Sequence, residues 1–462
     1  MTELSRRRML QLAGTGLTAT ALAPVASLAK EPAAPAAAEA SAPYEAEPLT
    51  FFAHRLGTDH AEGVAVIDMN GDGRPDITSG AYWYENPGPA GGPWKRHKFR
   101  ELAPILPSAP PGAPTTKVLG GGFWDEFVAD NGEFAIDVNK DGRVDLVTSS
   151  WQDDGIWWFE NPGKVGEMWK PHFICHSVDT EGFAMGDIDG DGHDELIAAH
   201  FGRGGLIWIN FAGTAPVVHQ LGARIDGGKH GQGDGHGVGV VDIDGDGKLD
   251  VVTPYGWFQN IDAAHDQWVW HPDWELGDTG FPILGMDVNQ DGHMDLIYGH
   301  GHKFGLYWLE QTVENGKRSW KRHLIDNSFS QVHALKLADL DGDGELELIA
   351  GKRYRGHNGH DPGSYMPLCI YYYKIKRGPQ PVFTRHTISY NGTAGAGTQF
   401  VVTDIDGDGD LDIIVAGKTG VHWLESLKVD EVPREAREKE LLYNYDWPFA
   451  GEGTGLGIEK KG

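Results

Sequence analysis

Carboxylates recur in this chain at a fixed spacing. Asp242, Asp244, Asp246 and Asp250 stand at positions 1, 3, 5 and 9 of a glycine-punctuated stretch, Asp-Ile-Asp-Gly-Asp-Gly-Lys-Leu-Asp. A hard dication takes six to eight oxygens at short range, and such a loop supplies most of them. The same positions are filled by Asp68, Asn70, Asp72 and Asp76, by Asp137, Asn139, Asp141 and Asp145, and by Asp187, Asp189, Asp191 and Glu195. They recur as Asp287, Asn289, Asp291 and Asp295, as Asp339, Asp341, Asp343 and Glu347, and as Asp404, Asp406, Asp408 and Asp412. Seven copies in one register make a metal-binding repeat, and oxygen donors alone predict calcium in a structural role.

A second set of residues is defined by its offset from those loops. Six positions ahead of each first aspartate stand Glu62, Asn131, Glu181, His236, Phe281, His333 and Thr398. Two carboxylates and two imidazoles in one column are acid–base or metal-ligand material, so a further divalent metal is expected where the column converges. Just beyond the strand that follows each loop lie Tyr82, Trp151, His200, Tyr255, His300, His302, Lys352, Arg353 and Tyr354. Aromatic rings that stack on sugars, among cationic and titratable groups, describe a carbohydrate pocket. A glycine-rich insertion presents His230, Asp234 and His236 together, and glycines let backbone approach a ligand closely. Two long insertions, Arg100–Asp130 and Arg355–Pro367, are expected to wall the same face, the second carrying His357, His360 and Asp361.

Short strands must position these groups. The flanks of the loops, such as Gly239-Val-Val241 and Leu249-Val-Val-Thr253, are too short and too β-branched for helices, and the position-12 glutamate of an EF-hand is missing. Each copy adds an aromatic third strand, as in Tyr82-Trp-Tyr-Glu-Asn-Pro87, and a fourth strand carrying a histidine. Those histidines, His54, His97, His172, His219, His271, His323 and His386, recur with the repeat and are expected to pack the blades. The last copy lacks a fourth strand, and one stands ahead of the first copy at Phe51-Phe-Ala-His54. A ring closed in that way exposes no sheet edge, so the fold class is all-β, a seven-bladed β-propeller.

On these loops and strands the chain resembles the FG-GAP/VCBS-type calcium-loop propellers, from about Phe51 to Leu427. Among enzymes, the Trp-Tyr-Glu-Asn-Pro … Trp … His pattern is similar to the propeller domain of aldos-2-ulose dehydratases and, more loosely, to propeller-type polysaccharide lyases. The resemblance implies a carbohydrate substrate and elimination chemistry. It also includes integrin-like adhesion modules, since the motif specifies fold more than function.

Residues 1–29 read as a Tat signal, with Arg6-Arg7-Arg8, a modest apolar stretch and Ser27-Leu-Ala29 before the cleavage point. Export to the periplasm or beyond follows. Residues 30–48 form an Ala/Pro/Glu-rich linker, 49–428 the propeller, and 429–462 a short helix and tail. The net charge of −28 offers no basic patch for nucleic acid and little attraction to anionic lipid. No membrane span is expected after signal removal, and the mature protein reads as a monomer. Cys175 and Cys369 belong to distant blades and are expected to be free thiols.

The expectation is an exported carbohydrate lyase or dehydratase that removes a proton α to a carbonyl or carboxylate and expels a β-oxygen. His236 or His333 serves as base, tuned by Glu62 and Glu181, with His230 presented beside them. Arg353, His300 or a metal holds the enolate, and Tyr255 or Tyr82 donates the proton. A calcium-dependent binding propeller without catalysis, or a glycoside hydrolase using Glu62 and Glu181, are the alternatives.

Overall fold

A computed structural model describes residues 49–89, 91–102, 130–149, 155–176, 181–199, 205–222 and 236–428. Among the described residues are seven four-stranded antiparallel sheets, each in simple up-and-down order apart from one. That one takes Leu49–Gly57 as its outermost strand, paired with Gly420–Lys428 from Leu49↔Lys428 to Gly57↔Val421. The N-terminal strand therefore completes the last blade, and the propeller is seven-bladed as the repeat count requires.

Blades are numbered here by their inner strands: Ala65–Ile67, Gly132–Ile136, Phe183–Gly186, Gly239–Val241, Leu284–Met286, Val332–Ala338 and Phe400–Thr403. Neighbouring inner strands crowd each other at the axis. A Cβ on Gly239 would lie 2.1 Å from the Ile283 carbonyl oxygen, so only glycine fits there. Second strands are buried on both faces and accordingly read as unbroken apolar runs, such as Ile413 to Ala416. Apolar side chains fill the space between successive blades. Ala65, Trp83, Leu146 and Phe159 pack between blades 1 and 2, and Leu49, Phe51, Ile349, Tyr372 and Leu424 between blades 6 and 7.

The carboxylate loops join first to second strands on one face. In blade 1, Asp68 accepts the amides of Gly71, Asp72 and Gly73 at 2.8, 3.1 and 2.9 Å. Those tight turns need a left-handed backbone: Gly71 and Gly73 have φ of 74° and 84°. Lys140 and Gln290 take the same conformation at position 4 of their own loops. The position-9 carboxylate is fully buried and staples three segments, since Asp76 accepts the amides of Met69 and Asn86 at 2.9 and 2.8 Å. Burial, reinforced by Asp72 and Asp68, pushes Asp76 up to about 6 despite those two amides. Its counterparts Asp250 and Asp412 reach about 7 and about 8 through burial first and neighbouring aspartates after it. Buried carboxylates crowded by others are a donor set that a hard dication fits.

Each fourth-strand histidine lies flat on an aromatic ring of the third strand, as the repeat predicts. His172 on Trp158 (4.2 Å between centroids), His219 on Trp208 (3.7 Å) and His386 on Tyr372 (4.7 Å) are examples. Both cysteines are free, Cys369 buried and Cys175 half-buried rather than buried.

Candidate functional site

The column six residues ahead of the loops does converge on the axis, on the face opposite the loops. Glu62, Asn131, His333 and Thr398 are buried there, and the backbone of Phe281 bridges in parallel to Ala334. Phe281 donates its N–H to His333 O and accepts from Leu335 N, each at 2.7 Å, so blades 5 and 6 are tied together at the axis.

At the centre is Arg353, which leaves the second strand of blade 6. Its Nε and Nη2 both donate at 2.7 Å to the carboxylate of Glu62, the bidentate geometry that suits a guanidinium. The same Nη2 lies 2.6 Å from Glu181 Oε1, and Nη1 lies 3.0 Å from His333 Nε2. One guanidinium thus links blades 1, 3 and 6. Burial pushes the Glu181 carboxyl up, but Arg353, then His236 and His333, more than reverse this and hold it well below the usual carboxylate range. Burial, then Arg353, keeps His333 well below the ordinary histidine value.

Three imidazoles face one another beside that pair. His236, His302 and His333 bring ligand-capable nitrogens within 4.8 Å of one another. Each has its Nδ1 turned outward to an acceptor: Thr279 O at 2.9 Å, Asp361 Oδ2 at 2.9 Å and Gly397 O at 2.8 Å respectively. A ring that donates from Nδ1 carries, when neutral, only a lone pair on Nε2. Yet the Nε2 atoms of His236 and His302 stand 3.0 Å apart, with Glu181 Oε2 3.1 Å from the former. Two lone pairs and a carboxylate at those distances require positive charge among them, either a proton or a metal ion. Burial and then His236 push His302 down to about 4, so His302 does not carry that charge at neutral pH.

The insertion after blade 6's second strand supplies the outer wall. A single helical turn, Gly356–Gly359, lets Asp361 accept from His302 on one oxygen and from His357 Nδ1 (2.8 Å) on the other. His357 also stacks on His302 with centroids 4.3 Å apart, and its side chain is 61% exposed. Burial raises the Asp361 carboxyl, but these two imidazoles outweigh it and hold it far below its ordinary value. Behind the ring, a channel cavity of about 610 Å³ runs between the inner strands, with Glu181 and Thr398 lining it.

Of the expected site residues, Glu62, Glu181, His236, His302, His333 and Arg353 come together. Several others do not. Lys352 is buried on Ser330 Oγ (3.1 Å) and Gln331 Oε1 (2.9 Å), because alternation along the strand turns it away from Arg353. His300 packs edge-on against Tyr307 (5.1 Å) inside blade 5, pushed down to about 4 by burial, Lys303 and Arg322. Tyr82 lies under Arg96 of the outer strand (4.5 Å), and Tyr354 lies under Arg355 (6.0 Å) at the surface. Tyr255 occupies the turn between Asp250–Thr253 and Gly256–Asp262. Glu62 reaches Arg353 and Asn131 rather than either imidazole, so it does not tune them. His230, Asp234, Trp151 and His200 lie outside the described residues, as do the signal, linker and C-terminal helix expected from the sequence. His357 and Asp361 stood out in the sequence only as part of an insertion, since nothing in the repeat aligns them with the ring.

Comparison with known proteins agrees with the fold. An FG-GAP-like repeat matches residues 137–198 and 287–350. The chain is 22% identical over 300 residues to aldos-2-ulose dehydratase of Phanerodontia chrysosporium, covering 55% of this chain and 32% of that protein. It is 25% identical over 258 residues to cartilage acidic protein 1 of Homo sapiens, covering 52% of this chain and 35% of the relative. The Xenopus tropicalis protein of the same name is 28% identical over 137 residues, 28% of this chain and 19% of the relative. The chain thus spans about a third or less of the length of the curated relatives it matches.

Proposed function

We propose that this seven-bladed propeller of FG-GAP-like repeats is a carbohydrate lyase of the dehydratase type, with its centre at the axial cluster. The observation that carries the reading is the 3.0 Å approach of two imidazole Nε2 atoms beside a carboxylate. The carbonyl and carboxylate oxygens that accept from all three Nδ1 atoms are the partners a metal-ligating histidine uses. His236, His302 and Glu181 would hold a divalent ion, with His333 beside them. Bound there, the ion supplies Lewis-acid stabilisation of the charge that develops on a carbonyl oxygen. The similarity to a dehydratase supports the same class of chemistry.

The chain's own groups have distinct tasks. Glu62 fixes Arg353, and Arg353 fixes Glu181, so the carboxylate stays ionised in a buried ring. Asp361 orients His357, whose exposed ring is placed to meet a sugar entering from solvent. His357 takes the proton α to the carbonyl, the C–H pair becomes the new double bond, and the β C–O bond breaks. The same imidazolium returns its proton to the departing hydroxide, so one sugar gives one dehydrated sugar and water. Glu62 and Glu181 share one guanidinium nitrogen, which commits both to charge neutralisation rather than to straddling a glycosidic bond. The carboxylate loops would hold calcium as turn staples on the far face, and the N-terminal twin arginine supports export.

The test combines metal content with turnover. Wild type is expected to retain one transition metal on the axis, lost in a His236→Ala/His302→Ala double variant. Keto-sugars are expected to yield a conjugated enone that absorbs in the ultraviolet. His357→Asn should keep the metal and slow that reaction by about 100-fold or more. A folded protein with no axial metal and no enone from any keto-sugar returns the ring to a non-catalytic binding role.

A further inference from the structure

One position of the third strand recurs beside the carboxylate loop in every blade, and in blades 3 to 6 its side chain bonds to the loop. It follows the residue that pairs just past position 9, and reads Glu85, Glu160, Asn210, Gln259, Glu310, Lys374 and Glu425 around the ring. In blades 3 to 6 that side chain closes the loop from the side. Asn210 Nδ2 donates to Asp189 Oδ2 at 2.8 Å and to Glu195 Oε1 at 3.1 Å. Gln259 Nε2 donates to Asp244 Oδ2 at 2.6 Å, and Glu310 Oε1 accepts from Asn289 at 3.3 Å. Position 3 of the loop is thus the common target.

Blade 6 breaks the column by putting a cation in it. Lys374 Nζ is hydrogen-bonded to Asp341 Oδ2 at position 3 and lies 3.7 Å from Asp343 Oδ2 at position 5. The charge of Glu347, at position 9, also acts on that ammonium. Three ligand positions of one loop therefore address a positive charge the chain itself provides. Arg74 and Arg143 differ: they sit at position 7, reach only the position-5 carboxylate, and clamp the loop's outer side through Asn86 O and Asn161 O. Lys248 likewise touches position 5 from outside, at 3.9 Å.

We propose that Lys374 takes the place of calcium in the blade 6 loop, so that this loop is closed by an internal ammonium while the others take a dication from solution. An ammonium and a dication cannot share one carboxylate cage without strong like-charge repulsion. The inference is independent of what the axial cluster does.

Calcium bound per chain, measured by equilibrium dialysis at fixed free calcium, tests this with no activity readout. Asp191→Ala in blade 3 should lower the count by one, whereas Asp343→Ala at the same position of blade 6 should leave it unchanged. Lys374→Glu rebuilds the blade 1 arrangement and should raise the count by one. A count that falls for both alanine variants, or for neither, overturns the assignment. So does a Lys374→Glu protein with native circular dichroism and an unaltered count. Should Lys374→Glu fail to fold, the pair of alanine variants decides.

Discussion

His422 shows how far burial beside a cation can carry a titration. It is fully buried, its Nε2 3.0 Å from Thr393 Oγ1, and burial with the Arg55 charge pushes it down to about 3. An unfolded histidine titrates near 6.5. From about pH 6.5 down to 3 the unfolded chain therefore binds a proton the folded chain refuses, and stability falls with pH in that window. The loss is about 3 kcal/mol by pH 4, present in wild type and absent without the imidazole. Urea denaturation of wild type and His422→Leu from pH 7.5 to 4.5 should show the two curves converging on acidification. Parallel curves would refute the shift. At this scale the sequence was legible only where the repeat fixes register. Counting six residues back from each loop found Glu62, Glu181, His236 and His333 because every blade places that position on the axis. Lys352 and Arg353 sit side by side in sequence, which places both in the pocket, but strand alternation sends only Arg353 inward. No spacing rule shows that Arg353 joins carboxylates from two other blades, because that contact depends on ring closure.

The outer strands illustrate what repetition does for an element. Each fourth-strand histidine stacks on a third-strand ring, and in four blades it also meets the glutamate two residues after that ring, as His172 meets Glu160 at 2.7 Å and His323 meets Glu310 at 2.7 Å. These half-exposed pairs hold the outer strand to its blade. Removing one, as in His97→Ala or His323→Ala, should cost about 0.5–1.5 kcal/mol through the lost stack. The two sites lie in separate blades with no shared partner, so the double variant should show the sum within about 0.5 kcal/mol. Chemical denaturation of the two singles and the double measures this, and a marked excess would point to coupling between blades. The loops and strands could be read from sequence because their chemistry repeats. The Arg355–Pro367 insertion occurs once, so its length was informative but its contacts were not. Asp361 reaches His302 only because Arg355 and His357 take left-handed backbone angles (φ 44° and 48°), which no propensity forecasts.

The whole ring depends on one long-range pairing. Leu49–Gly57 covers the edge of the last blade, with Phe51 buried edge-on to Tyr372 at 6.4 Å. Without it that blade keeps three strands and an open hydrogen-bonding edge, the arrangement that invites association. Deleting residues 49–57 should therefore give a protein that self-associates on size exclusion and melts at lower temperature with less cooperativity. A monomeric deletion variant with an unchanged melt would show that the ring holds without its closing strand. The closure was legible because a fourth strand is missing at one end of the sequence and surplus at the other.

That same closing strand has a mechanical side. Leu49 pairs with Lys428, so the points where the chain enters and leaves the ring face each other across a single rung of an antiparallel ladder. Tension drawn between those two points does not shear the ladder as a block. It peels the rungs one after another, starting from Leu49 and Lys428, and each hydrogen-bonded pair carries the load alone in its turn. The propeller is thus anchored weakly against a pull on its ends, whatever its resistance to heat.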